Sequence, residues 1–296
     1  MPSEHKFDQA EGLRRLLVRP SLRVLTVVGA RKGLGATSVV VNLAAALARA
    51  GKKVLVLDEN LDHDNVANTL ALKPRLDLLN ALRDEIPVRD ILLHAGTGVK
   101  ILPVARAMQI LPKLSAAQRE SLLGSLSAAS MGMDVVLVDA RPDGHSVCAS
   151  LSGDEPLLIV LNATIDGITE SYALLKQLSS QNNRMAFDLV LNKARDETEA
   201  RRVYENMAYV AQQHMQVNLR YLGNIALDDN IARATELHRS LVDFMPDIPA
   251  SQAFIALAQN LMLLPATKKH GSNALSQLIH RLLHQQPVQS ILHAVR

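Results

Sequence analysis

The chain has 296 residues, of which 48% are hydrophobic and 21% charged, a balance ordinary for a soluble globular protein and a length suited to one large α/β domain or two small ones. Aromatics at 3% and the absence of Trp leave the core to aliphatic side chains, and the single cysteine, Cys148, excludes an internal disulfide framework and fits a reducing compartment. A net charge of +3 and a pI of about 9.0 point only weakly toward anionic partners. The opening MPSEHKFDQAEG reads as too polar for a signal peptide, and no segment approaches ~18 uninterrupted apolar residues.

In chain order, residues 1–20 form a polar arm with one helical patch, DQAEGLRRLL, closed off by Pro20. Asp8 is placed to cap that patch and Glu11 follows three residues later, as in a capping box. LRVLTVVG (22–29) reads as a buried strand, TSVVVNLAAALARAG (37–51) as a helix ending at Gly51, and KKVLVLD (52–58) as the next strand. GVKILPV (98–104), MDVVLVDA (133–140), EPLLIVLNA (155–163), AFDLVLNKA (186–194) and LRYLGNIAL (219–227) complete the strand candidates, most of them separated by helix-like segments. Short apolar runs alternating with helices predict a doubly wound, mostly parallel sheet covered on both faces, whose ligands sit beyond the carboxyl ends of the strands. Asp58, Asp139, Asn162 and Asn192 fall at those ends. After Pro265, residues 266–296 carry no Asp or Glu but two Lys, two Arg and four of the ten His. Leu275, Leu278, Ile279 and Leu282 stand there at helical spacing, and Val288, Ile291, Leu292 and Val295 repeat it after Pro287.

The stretch GARKGLGATS (29–38) joins the first strand to the first helix, the setting of a phosphate-binding loop. Such a loop needs glycines so that backbone N–H groups turn inward, a helix N-terminus for partial positive charge, a lysine for the β- and γ-phosphates and a hydroxyl for Mg²⁺. Gly29, Gly33 and Gly35 are present and Thr37 is the candidate hydroxyl, whereas Ala30 stands at the first glycine and Ala36 at the lysine. A strand–helix turn that uses glycine only to turn is the competing reading. Asp58 and Asp139 can hold Mg²⁺ through water with Thr37 as direct ligand, or can simply cap adjacent helices. Cys148 beside His145 lacks a third partner for a catalytic pair, and the scattered histidines lack zinc spacing.

Taken together, these motifs resemble the MinD/ParA group of deviant Walker ATPases (the P-loop NTPase class known as SIMIBI), and within it the FlhG/FleN regulators of flagellar number. On the loop form G-G-K-G-G-x-G-K-T, the family's intermonomer lysine falls on Arg31, a glycine on Lys32 and the phosphate lysine on Ala36, while Gly33, Gly35 and Thr37 are kept. The family's Asp-x-Asp reads DENLDHDNV here. Asp58 and Asn65-Val66 match, but Asn60 replaces the aspartate that orients the attacking water, and Asn is no anionic base. Asp139 matches the Walker B aspartate, followed by RPDG instead of small residues, and Asn192 matches a position bordering the adenine.

The resemblance covers roughly residues 22–262, and DQAEGLRRLL resembles the N-terminal motif of FlhG proteins that contacts the GTPase FlhF and C-ring components. It implies a regulator of flagellar number and placement, working through an enhancer-binding transcription activator and an FlhF-like GTPase. The domains implied are an arm (1–20), a MinD/ParA-like domain (21–265) and an amphipathic tail (266–296). The nucleotide site is Gly29, Arg31, Lys32, Gly33, Leu34, Gly35, Ala36, Thr37, Ser38 and Asn192, with Thr37, Asp58 and Asp139 for Mg²⁺ and Asp8, Gln9, Ala10, Leu13 and Arg14 for partners. Binding of ATP or ADP with Mg²⁺ is expected to be weak or lost and hydrolysis weak or absent, a pseudo-ATPase acting through nucleotide-dependent or constitutive protein contacts. Two alternatives are a slow ATPase using Arg31 or Lys32 in place of the loop lysine, and a positioning protein of cellulose secretion resembling BcsQ. A homodimer is implied, with a cytoplasmic location and no direct DNA binding; the tail either makes peripheral contact at the inner membrane through Lys268, Lys269, His280, Arg281 and His284 or packs on the domain or on a partner.

Overall fold

The computed structural model describes residues 22–84, 86–141, 146–151 and 155–264. The arm motif, the tail and His145, with the expectations attached to them, lie outside the described residues. The strands are β1 (Arg23–Gly29), β2 (Val54–Asp58), β3 (Leu93–His94), β4 (Val99–Pro103), β5 (Val135–Asp139), β6 (Leu157–Leu161), β7 (Ala186–Ala194) and β8 (Asn218–Ala226). The helices are α1 (Ala36–Arg49), α2 (Val66–Thr69), α3 (Leu78–Asp84), α4 (Val88–Ile91), α5 (Ala105–Ile110), α6 (Ala116–Ser130), α7 (Val147–Leu151), α8 (Ile165–Asn182), α9 (Glu197–Met215), α10 (Asp229–Glu236), α11 (Leu241–Phe244) and α12 (Pro249–Leu263). One sheet runs in the order β3-β4-β2-β5-β1-β6-β7-β8 and is parallel except for β3, which pairs antiparallel with β4. The mostly parallel, doubly covered sheet expected from the apolar runs is therefore present. The two-residue edge strand β3 is the addition.

Strand side chains divide between the two faces with period two. Val54 and Val56 join a core with α1 and α12, while Leu55 and Leu57 join α3, α5 and α6 on the other side. Leu158 and Val160 face the first core, and Leu157, Ile159 and Leu161 meet Leu174, Leu175 and Leu178 of α8. Because both faces are covered, the strands read as unbroken apolar runs rather than as alternating ones.

Helix α1 is buried without a break from Val39 to Leu47, between the sheet and α12. Its consecutive Val39, Val40 and Val41 are poor helix formers, so packing rather than intrinsic preference holds this helix. It ends in a Schellman arrangement: Gly51 (φ 78°) donates its N–H to the Ala48 carbonyl and Lys52 donates to Leu47. Two polar side chains fasten α1 and β1 to distant parts of the chain. Buried Asn42 donates Nδ2 to the Ser38 carbonyl at 2.9 Å, and its Oδ1 accepts from the amides of Leu241 (2.7 Å) and Val242 (3.3 Å) at the start of α11. Arg23 donates to the carbonyls of Leu261 (3.1 Å) and Leu264 (2.8 Å), capping the end of α12 beneath β1.

Replacing Asn42 by Ala strands two amides that Asn42 satisfies from its buried position. At ~1–3 kcal/mol for such a loss, the melting temperature falls by roughly 2–12 °C for a domain this size. Thermal melts followed by circular dichroism measure this, and a change within 2 °C or so contradicts it.

Candidate functional site

The order β2-β5-β1-β6 brings four strand ends together. The loop after β1 turns back over them into α1. Gly33 (φ 82°) and Gly35 (φ 95°) both occupy left-handed backbone, which only glycine adopts without strain. A Cβ on Gly35 would also collide with Asn192 Nδ2, so this position needs glycine twice over. No side chain caps α1, whose N-cap is Gly35 itself, and the first amides of a helix have no intrahelical partner. Those amides and the positive end of the helix dipole are what an anion meets here.

The loop is held from outside by two neighbouring residues of β7. Buried Asn192 donates Nδ2 to the Leu34 carbonyl at 2.8 Å, and Lys193 donates Nζ to the Gly33 carbonyl at 2.9 Å. Leu34 itself is fully buried. The loop cations turn away to carboxylates of other elements: Arg31 Nε lies 2.5 Å from Glu170 Oε2 of α8, and Lys32 Nζ lies 2.7 Å from Asp62 Oδ1. Ala36 packs its methyl group against the core with α1. A cavity of about 570 Å³ opens over the loop, lined on one side by Gly33, Gly35, Thr37 and Ser38 and on the other by Ile231 and Thr235 of α10. Asn60, Asn192 and Lys193 also border it.

Beside the loop lies a buried pair of carboxylates. Asp58 and Asp139 are register partners on adjacent parallel strands. Asp139 Oδ2 accepts from Thr37 Oγ1 at 2.9 Å, while its Oδ1 is buried and has no hydrogen-bond partner. Asp58 accepts the amides of Asn60 (3.1 Å) and Ala67 (3.3 Å), one on each oxygen. Burial pushes the Asp58 carboxyl up to about 7. Burial, and then the Asp58 charge, hold Asp139 well above the carboxylate range, opposed by the Thr37 hydrogen bond. An orphaned carboxylate oxygen next to a hydroxyl and a second acid is a donor set that fits a hard divalent cation. Thr37 and Asp139 could hold such an ion, with Asp58 alongside. The helix-capping alternative applies to Asp58 in part, since its Oδ2 secures the first turn after Asn65.

Asn60 is fixed in the loop after β2 at the edge of the cavity: its Oδ1 accepts the Asp62 amide at 3.0 Å. Its neighbour Glu59, which the sequence reading did not single out, is buried and joins the end of β2 to α7. The Glu59 carboxylate accepts Ser146 Oγ (2.5 Å), the Val147 amide (2.8 Å) and the Cys148 amide (3.4 Å). Burial raises the Glu59 carboxyl, offset by these bonds. Burial, with Glu59 adjacent, pushes the Cys148 thiol well up, so it is no nucleophile. Lys193 and the α10 wall were also missed, because nothing in local spacing ties residues 193 and 231–235 to a loop at 29–38.

The raised Asp58 carboxyl has a defined pH signature. The folded state keeps a proton that the unfolded chain, with an ordinary value of 3.8, gives up. Stability from this group is therefore full at low pH and is lost as pH rises through about 7. In metal-free buffer the melting temperature of wild type should drop between about pH 5 and about pH 8 by more than that of Asp58→Asn. Equal drops in the two melting series contradict the assignment.

The geometry has counterparts among known proteins. Residues 25–242 match the family model described as CobQ/CobB/MinD/ParA nucleotide binding domain. The antiactivator FleN of Pseudomonas aeruginosa is 33% identical over 241 residues, covering 81% of this chain and 86% of that protein. The flagellum site-determining protein YlxH of Helicobacter pylori is 25% identical over 238 residues, 80% of each chain. The structure of the septum site-determining protein MinD from Pyrococcus horikoshii, complexed with Mg-ADP, superposes with a TM-score of 0.58 at 23% identity, over 82% of this chain and 97% of that one. With a matched family model over most of its length and a phosphate loop folded at the expected strand ends, this chain belongs to the CobQ/CobB/MinD/ParA nucleotide-binding family.

Proposed function

We propose that this protein regulates flagellar number and placement through nucleotide-sensitive protein contacts, and that it lacks a competent hydrolytic cycle. The observation that carries this reading is a loop that keeps its backbone form while both charged positions needed for turnover are neutral. Gly33 and Gly35 hold the turn and Thr37 meets Asp139, yet Ala36 and Asn60 stand where lysine and aspartate would act. The flagellar part rests on FleN of Pseudomonas aeruginosa and YlxH of Helicobacter pylori as relatives. Partners of the matching chemistry are an FlhF-like GTPase, a C-ring component and an enhancer-binding activator. A homodimer across the loop face and a cytoplasmic location, with tail contact at the inner membrane, belong to the same reading. Among the described residues no helix is long and apolar enough to cross a membrane.

A slow ATPase that borrows Arg31 or Lys32 is the weaker reading, because each of these side chains is already ion-paired to Glu170 or Asp62. When bound, Mg²⁺ would supply charge neutralisation at the phosphates. The chain's own residues would hold the ion at Thr37 and Asp139, border the base with Asn192 and offer the loop amides to phosphate oxygens.

Losing a charge-assisted contact costs about 1.5–3 kcal/mol, roughly one to two decades of affinity. Calorimetric titration should therefore find Mg-ATP and Mg-ADP binding that tightens by roughly 10- to 100-fold in Ala36→Lys. Phosphate release from ATP should stay at background in wild type and in each single variant, and rise only when Ala36→Lys is combined with Asn60→Asp. Wild-type turnover that Thr37→Ala abolishes would sink the non-hydrolytic reading. Unchanged filament counts by electron microscopy, after deletion of the gene in a flagellated host, would sink the flagellar one.

A further inference from the structure

We propose that Lys193 supplies to a bound nucleoside polyphosphate the positive charge that position 36 lacks; this rests on the nucleotide-binding reading above. Among the described residues three cations line the cavity over the loop, and they differ in what they face. Arg31 faces Glu170 and Lys32 faces Asp62, so each already has a carboxylate counter-charge. Lys193 instead donates to the Gly33 carbonyl at 2.9 Å. A carbonyl takes one of the three ammonium donors and none of the charge.

The backbone is shaped to put the ammonium there. In a regular strand successive side chains leave opposite faces of the sheet. Asn192 and Lys193 nevertheless reach consecutive carbonyls of the same loop, Leu34 and Gly33. The pairing of β7 with β8 slips between Asn192 and Ala194, and Lys193 adopts φ 57°, left-handed backbone that a lysine seldom occupies. A bulge of this kind re-aims one side chain. Here it swings Lys193 onto the loop beside the base-side residue Asn192. The ligand class is an adenine nucleotide with two or three phosphates, whose affinity depends on Lys193 in proportion to its anionic charge. Because Lys193 is exposed, added salt screens the effect.

The test is calorimetric titration of the full chain with AMP, Mg-ADP and Mg-ATP at low and high salt, on wild type, Lys193→Asn and Lys193→Arg. Asn tolerates left-handed backbone, and thermal melts check that both variants fold. The expected result is a roughly tenfold loss of Mg-ATP affinity in Lys193→Asn, about 1.4 kcal/mol, smaller for AMP and smaller at high salt. Lys193→Arg should restore most of the loss. Mg-ATP binding by Lys193→Asn equal to wild type overturns this assignment and leaves the nucleotide reading standing. An equal loss for AMP and Mg-ATP also overturns it, since it assigns the side chain to covering the nucleoside. So does a larger loss in Arg31→Gln or Lys32→Gln, which moves the charge to the loop. No binding of any nucleotide by wild type removes both readings together.

Discussion

The shape of the phosphate loop depends on the hydrogen bond from Asn192 Nδ2 to the Leu34 carbonyl. That bond is buried, so breaking it leaves a donor and an acceptor without water, the costly direction of hydrogen-bond loss. It forces close approach between β7 and the loop, and the approach leaves no room for a Cβ on Gly35. Gly35 in turn starts α1 without a side-chain cap, which leaves the first turn of the helix open toward the cavity. None of these steps involves position 36. A loop lysine grips the ligand, whereas this loop takes its curvature from β7 and from two left-handed glycines. Ala36 therefore sits in a loop whose scaffold does not depend on it.

The buried acids follow a similar logic from the opposite direction. Asp58 and Asp139 are held side by side by the register of two parallel strands, and neither has a basic partner within its own hydrogen bonds. Two carboxylates in such a place cannot both ionise cheaply. Either a proton or a cation must share the site. A purely structural pair would have every lone pair satisfied, but Asp139 Oδ1 is left over. The leftover acceptor lies next to the Thr37 hydroxyl at the start of α1, where a cation carried in with phosphates would meet it. The unpaired acceptor thus gives the site a reason to hold a proton or a cation.

Most of the fold was legible because its signals are local. Seven apolar runs bounded by turns became seven strands, and the glycine-rich stretch fell between strand and helix as expected. Strand β3 was not legible, because two residues carry no periodicity. Within the site, Thr37, Asp58, Asp139 and Asn192 came together because each ends or begins an element whose position the sheet order fixes. The ionic partners were hidden: Arg31 with Glu170 and Lys32 with Asp62 are set by three-dimensional proximity, and two adjacent cations look free when only their neighbours are visible. Lys193 was hidden for a sharper reason. Alternation along a strand places it away from Asn192, and only the bulge reverses that.

Glu59 links the carboxylate pair to helix α7. It follows Asp58 directly, and its amide donates to the Asp139 carbonyl at 3.1 Å. Its buried carboxylate accepts the Ser146 hydroxyl and the Val147 and Cys148 amides, which ties the end of β2 to the start of α7. Breaking the Glu59 bonds would leave a buried carboxylate without its donors, which burial already disfavours as a charged group. The start of α7 is therefore fastened to the end of β2, one residue from Asp58, by a contact that is expensive to break.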